Sequence, residues 1–221
     1  APYGAEDGGF LVDDFYPGPM EQVTTNPRTG QADPTGYLWG LPRDVSAFGL
    51  YLNLDLIAEA GADDPRELAD AGAWDWAAFT EVAEAVSALG PEIFGYGQSS
   101  WWGPVGWWLN SAGGGFFNEA RDACGLDTPE SIAGVEAFRD FYATGAGFTY
   151  GEDPEPVFKA GNIGMFQNGR WATPGSREVD FNFDGVKLPD GPGTPAVRLA
   201  VGIHGTGVLQ ARQDRDDAGV A

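Results

Sequence analysis

From Ile93 to Asn118 the chain runs for 26 residues without a charged side chain, although its 33 acidic and 12 basic groups leave a net charge of −21 over 221 residues. A stretch so depleted must be shielded from water or line a cleft. It is long enough to cross a bilayer. Its composition argues against that: seven glycines, Pro104, Gln98, Ser99, Ser100, Asn110 and Ser111 interrupt it, and no basic flank anchors it at an interface. No direct membrane span is expected in this chain. Four of the eight tryptophans fall here, as Trp101-Trp102 and Trp107-Trp108. Neighbouring side chains point to opposite faces of a strand and diverge by about 100° on a helix. At least one member of each pair is therefore expected to face a cleft or a partner. Flat rings of this kind pack against the C–H faces of sugars, and nearby polar groups then fix the hydroxyls. The alternative is that the tryptophans fill a glycine-rich core.

The charge balance excludes partners. Nucleic acid needs a basic surface to neutralise phosphates, and an anionic membrane surface is disfavoured for the same reason. The acidity does not mean disorder, because 43% of the residues are hydrophobic and 13% aromatic, enough to bury a core. The length suits one large domain or two small ones. Aspartate outnumbers glutamate 20 to 13, and only Lys159 and Lys187 are lysines. That pattern suits a salt-adapted surface; a GC-rich genome would favour the same residues. The single cysteine, Cys124, rules out an intrachain disulfide and a cysteine zinc cluster. The start Ala1-Pro2-Tyr3 has neither a basic region nor an apolar run, so it reads as a processed, trimmed or incomplete chain.

Helices and strands interleave, which predicts an α/β fold. Loop is expected over residues 1–36, with one helical turn near Met20–Val23. Strands are expected over 37–42, 48–52, 94–97, 163–166, 186–188, 197–203 and 206–209. Asn53 caps a short helix that Gly61 closes. Asp75 caps the clearest helix, whose stripe is Trp76, Phe79, Val82, Val86 and Leu89. Thr128-Pro129-Glu130 opens another, with a stripe of Ile132, Val135, Phe138 and Tyr142 and an end at Gly145. Asp153-Pro154 opens a short helix closed by Gly161, and a last helix is expected to begin at Asp214–Asp217.

Catalytic motifs are scarce. His204 is the only histidine, no G-x-S-x-G elbow exists, and neither a dinucleotide fingerprint nor a P-loop is present. Asp180-Phe-Asn182-Phe-Asp184-Gly185 opens like a calcium loop, but Gly191 stands where the twelfth-position Glu belongs. No metal and no cofactor are expected.

A set of phrases in fixed order points to a family. They are Gly40-Leu41-Pro42-Arg43-Asp44 followed by Gly49-Leu50-Tyr51-Leu52-Asn53-Leu54-Asp55-Leu56; Ala73-Trp74-Asp75-Trp76; Ser111-Ala112-Gly113-Gly114; Leu126-Asp127-Thr128-Pro129-Glu130; Phe158-Lys159-Ala160-Gly161-Asn162-Ile163-Gly164-Met165 with Asn168-Gly169-Arg170-Trp171; and Val186-Lys187-Leu188-Pro189-Asp190-Gly191-Pro192. This order resembles the extracellular solute-binding proteins of ABC sugar importers, the maltose-binding-protein-like group. Leu52 stands where the family has a second tyrosine, and Gly164 where it has alanine.

The resemblance implies a periplasmic-binding-protein-like lobe with a mixed sheet flanked by helices. It assigns residues 1–45 to the end of a first lobe and the hinge entry, and 46–221 to a second lobe incomplete at its C-terminus. The implied function is binding of a mono- or oligosaccharide in an aromatic-lined interlobe cleft, without catalysis, for delivery to the membrane permease subunits of an ABC importer. The implied location is extracellular, as a cell-surface lipoprotein or a periplasmic protein. Matched by position, Trp171 is the sugar-stacking residue and Trp101 and Trp102 line the cleft just before the inner helix. Arg43, Asp44 and Ser46 lie on the hinge strand, and Gly202 and His204 border the cleft. A glycoside hydrolase fragment and a stand-alone carbohydrate-binding module remain alternatives, as does a related solute such as a polyol or glycerol phosphate.

Overall fold

The computed structural model describes residues 15–24, 42–118, 120, 122–193 and 202–205. In chain order the elements are α1 Pro17–Thr24, β1 Pro42–Ser46, β2 Phe48–Asn53, α2 Leu54–Glu59, α3 Pro65–Asp70, α4 Trp76–Ser87, β3 Phe94–Gln98, α5 Trp102–Ser111, α6 Pro129–Ala143, α7 Glu155–Lys159, β4 Ile163–Gly169, α8 Thr173–Ser176, β5 Phe183–Val186 and β6 Gly202–Gly205. The chain forms two compact units: Ala47–Asn118 with Cys124–Ala200, and Ala1–Ser46 with Glu119–Ala123 and Val201–Ala221.

The larger unit is built on a four-stranded mixed sheet in the order β3-β4-β2-β5. β3 and β4 run parallel, whereas β2 pairs antiparallel with both β4 and β5. The expected mixed α/β sheet is present. Helix starts follow local chemistry. Asn53, Asp75 and Thr128 each accept a backbone N–H of the first turn through the side chain, the orphan donors that a cap has to satisfy. Gly61, Gly145 and Gly161 follow their helices with positive φ, the conformation glycine adopts without strain.

α4 presents Phe79, Val82, Ala83 and Val86 to the core. Trp76, which opens α4, is half-buried, and Leu89 lies past the end of the helix and is exposed. Phe79 is central: its ring packs on Trp74, Tyr96, Trp107, Trp108 and Phe141 at centroid distances of 4.9 to 6.2 Å. The sheet meets α4 through glycines. A Cβ on Gly164 would sit 2.9 Å from a Val86 methyl, which accounts for glycine at this position.

Several expectations are corrected. α6 buries Ser131, Gly134 and Phe141, and leaves Ile132 and Val135 exposed. Of the expected stripe, Phe138 and Tyr142 do pack against the core; in the first two turns the buried face lies about 100° from it. The reason is the crossing with α5: a Cβ on Gly134 would lie 2.6 Å from the carbonyl oxygen of Trp108. The small residues therefore face inward, and Ser131 Oγ donates to Gly125 O at 2.7 Å. The strand expected at 186–188 is β5, which ends at Val186. Lys187 and Pro189 instead present carbonyls to the Trp74 and Trp107 indole N–H groups. β1 begins at Pro42, where the expected strand was to stop; residues 37–41 lie outside the described set, as do 197–201, 206–209 and 214–217. α3 was not anticipated, although Asp64 caps it and Pro65 opens it. Trp107 and Trp108 are both buried, so neither faces a cleft.

Arg66 ties α3 to β5. It donates to Asp64 at 2.6 Å and to Asp184 at 2.7 Å, and the hydrogen bonds from Arg66 hold both carboxyls below the usual range. Each pair is partly exposed and screened, so each is worth about 1 kcal/mol or less. A depressed carboxyl stabilises the fold above its unfolded value of about 3.9 and loses that contribution as pH falls through the lower folded value. Arg66→Gln should therefore lower the thermal midpoint slightly at neutral pH. The difference should close as pH falls below the lowered folded values, where both carboxyls are protonated in either protein. A gap that persists there in a calorimetric pH series would count against this account.

In the smaller unit β1 and β6 form an antiparallel ribbon, with Asp44 opposite His204 and Ser46 opposite Gly202. Both strands contact α1.

Candidate functional site

Trp101, Trp102 and Trp171 come together in the larger unit. Trp171 follows β4 in a 3₁₀ turn over Arg170–Ala172. Trp101 follows β3 by three residues and caps α5. Both therefore leave the carboxyl ends of two adjacent parallel strands, the edge where open α/β sheets place ligands. Phe48, buried at the start of β2, joins them: its ring centroid is 5.6 Å from Trp101 and 5.3 Å from Trp171. Trp102 stands at 90° to Trp101 with centroids 5.3 Å apart, and touches Phe116 on its far side. The three indoles keep 40%, 62% and 46% of their surfaces exposed, so each offers a face.

Each of the two linked indoles lies over a glycine two residues away. A Cβ on Gly103 would fall 2.4 Å from a Trp101 ring carbon, and one on Gly169 would fall 2.2 Å from a Trp171 ring carbon. No side chain fits in either place, and the missing Cβ lets the ring lie against the backbone. The turn under Trp171 is held from β2: the Tyr51 hydroxyl donates to Gly169 O at 3.1 Å and meets Thr173 Oγ1 at 2.7 Å. Arg170 N–H donates to Ala47 O at 3.2 Å.

A polar cluster lies inside the sheet at the same edge. Gln98 and Gln167 are register partners on β3 and β4, and both are buried. The Tyr96 hydroxyl lies between two side-chain carbonyls, 2.8 Å from Gln98 Oε1 and within hydrogen-bond reach of Gln167 Oε1, which share its single proton. Trp108 Nε1 donates to Gln98 Oε1 at 3.0 Å. Gln167 Nε2 donates to Pro104 O at 3.5 Å, in the first turn of α5. Burial drives the Tyr96 hydroxyl well above its ordinary pKa, so it stays protonated.

The remaining expected residues lie in the smaller unit. Ser46, Asp44, Gly202 and His204 are paired across the β1–β6 ribbon, and Arg43 falls at the register irregularity between Pro42 and Asp44. Sequence reasoning missed Phe48, read only as a strand residue, and the glutamine pair. It did register Gly169 beside Trp171, but not the seat that glycine provides. Among the described residues no group of three or more His, Cys, Asp or Glu side chains is placed to hold a metal ion. In the calcium-like segment Asn182 bonds Asp55 and Asp184 pairs with Arg66. No helix of the described residues is long and apolar enough to cross a membrane.

The three indoles thus form an aromatic-faced site at the carboxyl edge of the mixed sheet. The sequence profile of the bacterial extracellular solute-binding proteins matches residues 2–219, and the chain belongs to that family. No curated protein matches it. Among solved structures it is similar to maltose-bound MalE3 of T. maritima, at 21% identity and a TM-score of 0.67, over 96% of this chain and 54% of that one. UgpB of Mycobacterium tuberculosis in complex with glycerophosphocholine is similar at 18% and 0.65, over 96% and 54%. The GacH receptor of Streptomyces glaucescens, solved unliganded and with acarbose, is similar at 16% and 0.61, over 86% and 50%. The chain spans about half the length of these proteins, and the likeness is one of fold: the periplasmic-binding-protein type.

Proposed function

We propose that this chain is the carbohydrate-binding portion of a solute-binding protein that delivers a mono- or oligosaccharide to the permease subunits of an ABC importer outside the cytoplasmic membrane. The observation that carries the reading is the pair of half-exposed indoles, Trp101 and Trp171, each laid on a glycine and both backed by Phe48. Such rings give a sugar flat apolar faces. The family, and relatives of the same fold bound to maltose or acarbose, support it. In this reading residues 1–45 end a first lobe and enter the hinge, and 46–221 form the second lobe. Arg43, Asp44, Ser46, Gly202 and His204 are further ligand-binding positions in this reading. Catalysis has no part in it.

The test is a titration with maltotriose. Trp171→Ala should weaken binding by about 1–3 kcal/mol, the scale of one large apolar contact. Unchanged affinity would remove Trp171 from the site, and steady hydrolysis of the sugar would favour the glycosidase alternative. A second reading has an observation of its own: the perpendicular Trp101 and Trp102 rings form two walls of an aromatic cage, which suits a quaternary ammonium group. Glycerophosphocholine, the ligand of the UgpB structure, is the solute to compare; tighter binding of it than of maltotriose would select that class.

A further inference from the structure

We propose that Tyr96, Gln98 and Gln167 are positioning residues that set the spacing between the Trp101 and Trp171 ring faces. The inference rests on the carbohydrate reading above and adds to it the device that holds the two faces in register. Gln98 stands three residues before Trp101 and Gln167 four before Trp171, directly opposite each other on parallel strands. Both strands end at these glutamines or just beyond. One hydroxyl, that of Tyr96, lies within hydrogen-bond reach of both side-chain carbonyls, which share its single proton. The same two side chains hold α5, through Trp108 Nε1 and Pro104 O, and α5 begins at the cap residue Trp101. The cluster therefore joins the three backbone segments that deliver the two indoles: the end of β3, the end of β4 and the first turn of α5.

Stability alone does not account for this arrangement. Buried amides are costly unless every polar atom is paired, and Gln98 Nε2 is buried without a hydrogen-bond partner. Two apolar side chains would pack the same volume without that cost. Two glutamines that share one hydroxyl proton, and are each bonded to α5, instead prefer a single arrangement of the strand ends, because hydrogen bonds fix angle and distance where apolar contacts slide.

Tyr96→Phe tests this. It keeps the ring packed edge-on against Phe79 and Phe141 and removes only the shared donor. With 5-fluorotryptophan in place of tryptophan, the Trp101 and Trp171 resonances are identified by their loss in the two single Trp→Phe proteins. Without ligand, Tyr96→Phe should shift or broaden both, while Trp74, bonded to Lys187 O away from the cluster, stays in place. Val86→Ala serves as a control that loosens the same core and removes no hydrogen bond of the cluster, and it should move neither site resonance. If Tyr96→Phe leaves Trp101 and Trp171 unmoved, or Val86→Ala moves them as much, the proposal is overturned. Should Tyr96→Phe fail to fold, Gln167→Met carries the same comparison.

The ligand arm separates this inference from the reading beneath it. Maltotriose, long enough to span two ring faces, should bind Tyr96→Phe about fivefold more weakly, the effect of one hydrogen bond. Methyl glucoside, which covers one ring, should be unaffected. Equal losses for both sugars would point to a merely structural role and overturn the proposal. If no sugar perturbs any resonance of the unsubstituted protein, the carbohydrate reading fails, and the ligand-free comparison still decides whether the cluster positions the indoles.

Discussion

Trp108→Ala is expected to lower stability by about 3–5 kcal/mol, the range for deleting a buried indole. The side chain is fully buried where α4, α5 and α6 meet. Its ring contacts Trp76, Phe79, Trp107, Phe138 and Phe141 at centroid distances from 4.2 to 6.0 Å. Its N–H is one of two donors to Gln98 Oε1. Alanine leaves a cavity lined by rigid rings that collapse poorly, and it takes a partner from a buried amide. Trp102, six residues earlier, is 62% exposed, and Trp102→Ala should change stability by no more than about 0.5 kcal/mol. Denaturant unfolding of both variants checks the contrast. A Trp108→Ala loss below about 1 kcal/mol with an unchanged slope would mean that the core refills the space.

The two tryptophan pairs show what a sequence can and cannot say about this fold. Each pair reads the same locally: neighbouring side chains diverge, so one of the two is expected to face outward. It holds only for an element with one buried face. α5 is covered on several sides, by α6, by the sheet and by the segment around Pro189, so both Trp107 and Trp108 are buried. α6 makes the same point. Its cap, its proline and its terminal glycine were legible because each acts within one turn. Its buried face was legible only at Phe138 and Tyr142, because Ile132 and Val135 are ordinary candidates for a core until the close crossing at Gly134 is known. Capping is local chemistry; the choice of face depends on what a distant segment leaves room for.

The site divides along the same line. Trp101, Trp102 and Trp171 were legible as a phrase and as an excess of aromatic surface, and the structure brings these three together. Phe48 was not, since a phenylalanine opening a strand looks like any core residue. Tyr96, Gln98 and Gln167 were hidden more deeply: the two glutamines are 69 positions apart in sequence, and only the parallel register of β3 and β4 makes them partners. The glycines at 103 and 169 were visible, but a flexible turn and a seat for an indole are written with the same residue.

Gly95→Ala is expected to cost about 3 kcal/mol or more, the upper part of the range for overpacking. A Cβ at this position of β3 would lie 2.0 Å from Ala83 O and 2.4 Å from Ala83 Cα. Both are backbone atoms of α4, so no side-chain rotation relieves the contact. The helix must lift off the strand, and with it go the inward contacts of Phe79, Val82 and Val86. The N–H of Gly95 is also committed, to Ala146 O at 2.9 Å and Ser87 Oγ at 2.8 Å, so the strand cannot retreat without breaking those bonds. Gly95 has no positive φ, and alanine suits its backbone; the cost is one of space alone. Gly185→Ala on β5 is the matched control, because its Cβ would meet nothing nearer than Leu50 O at 3.7 Å. At roughly 2–4 °C per kcal/mol for a domain of this size, Gly95→Ala should lower the thermal midpoint by about 6–12 °C and Gly185→Ala by no more than about 2 °C. Equal midpoints for the two variants would mean that α4 does not approach β3 as closely as Gly95 permits.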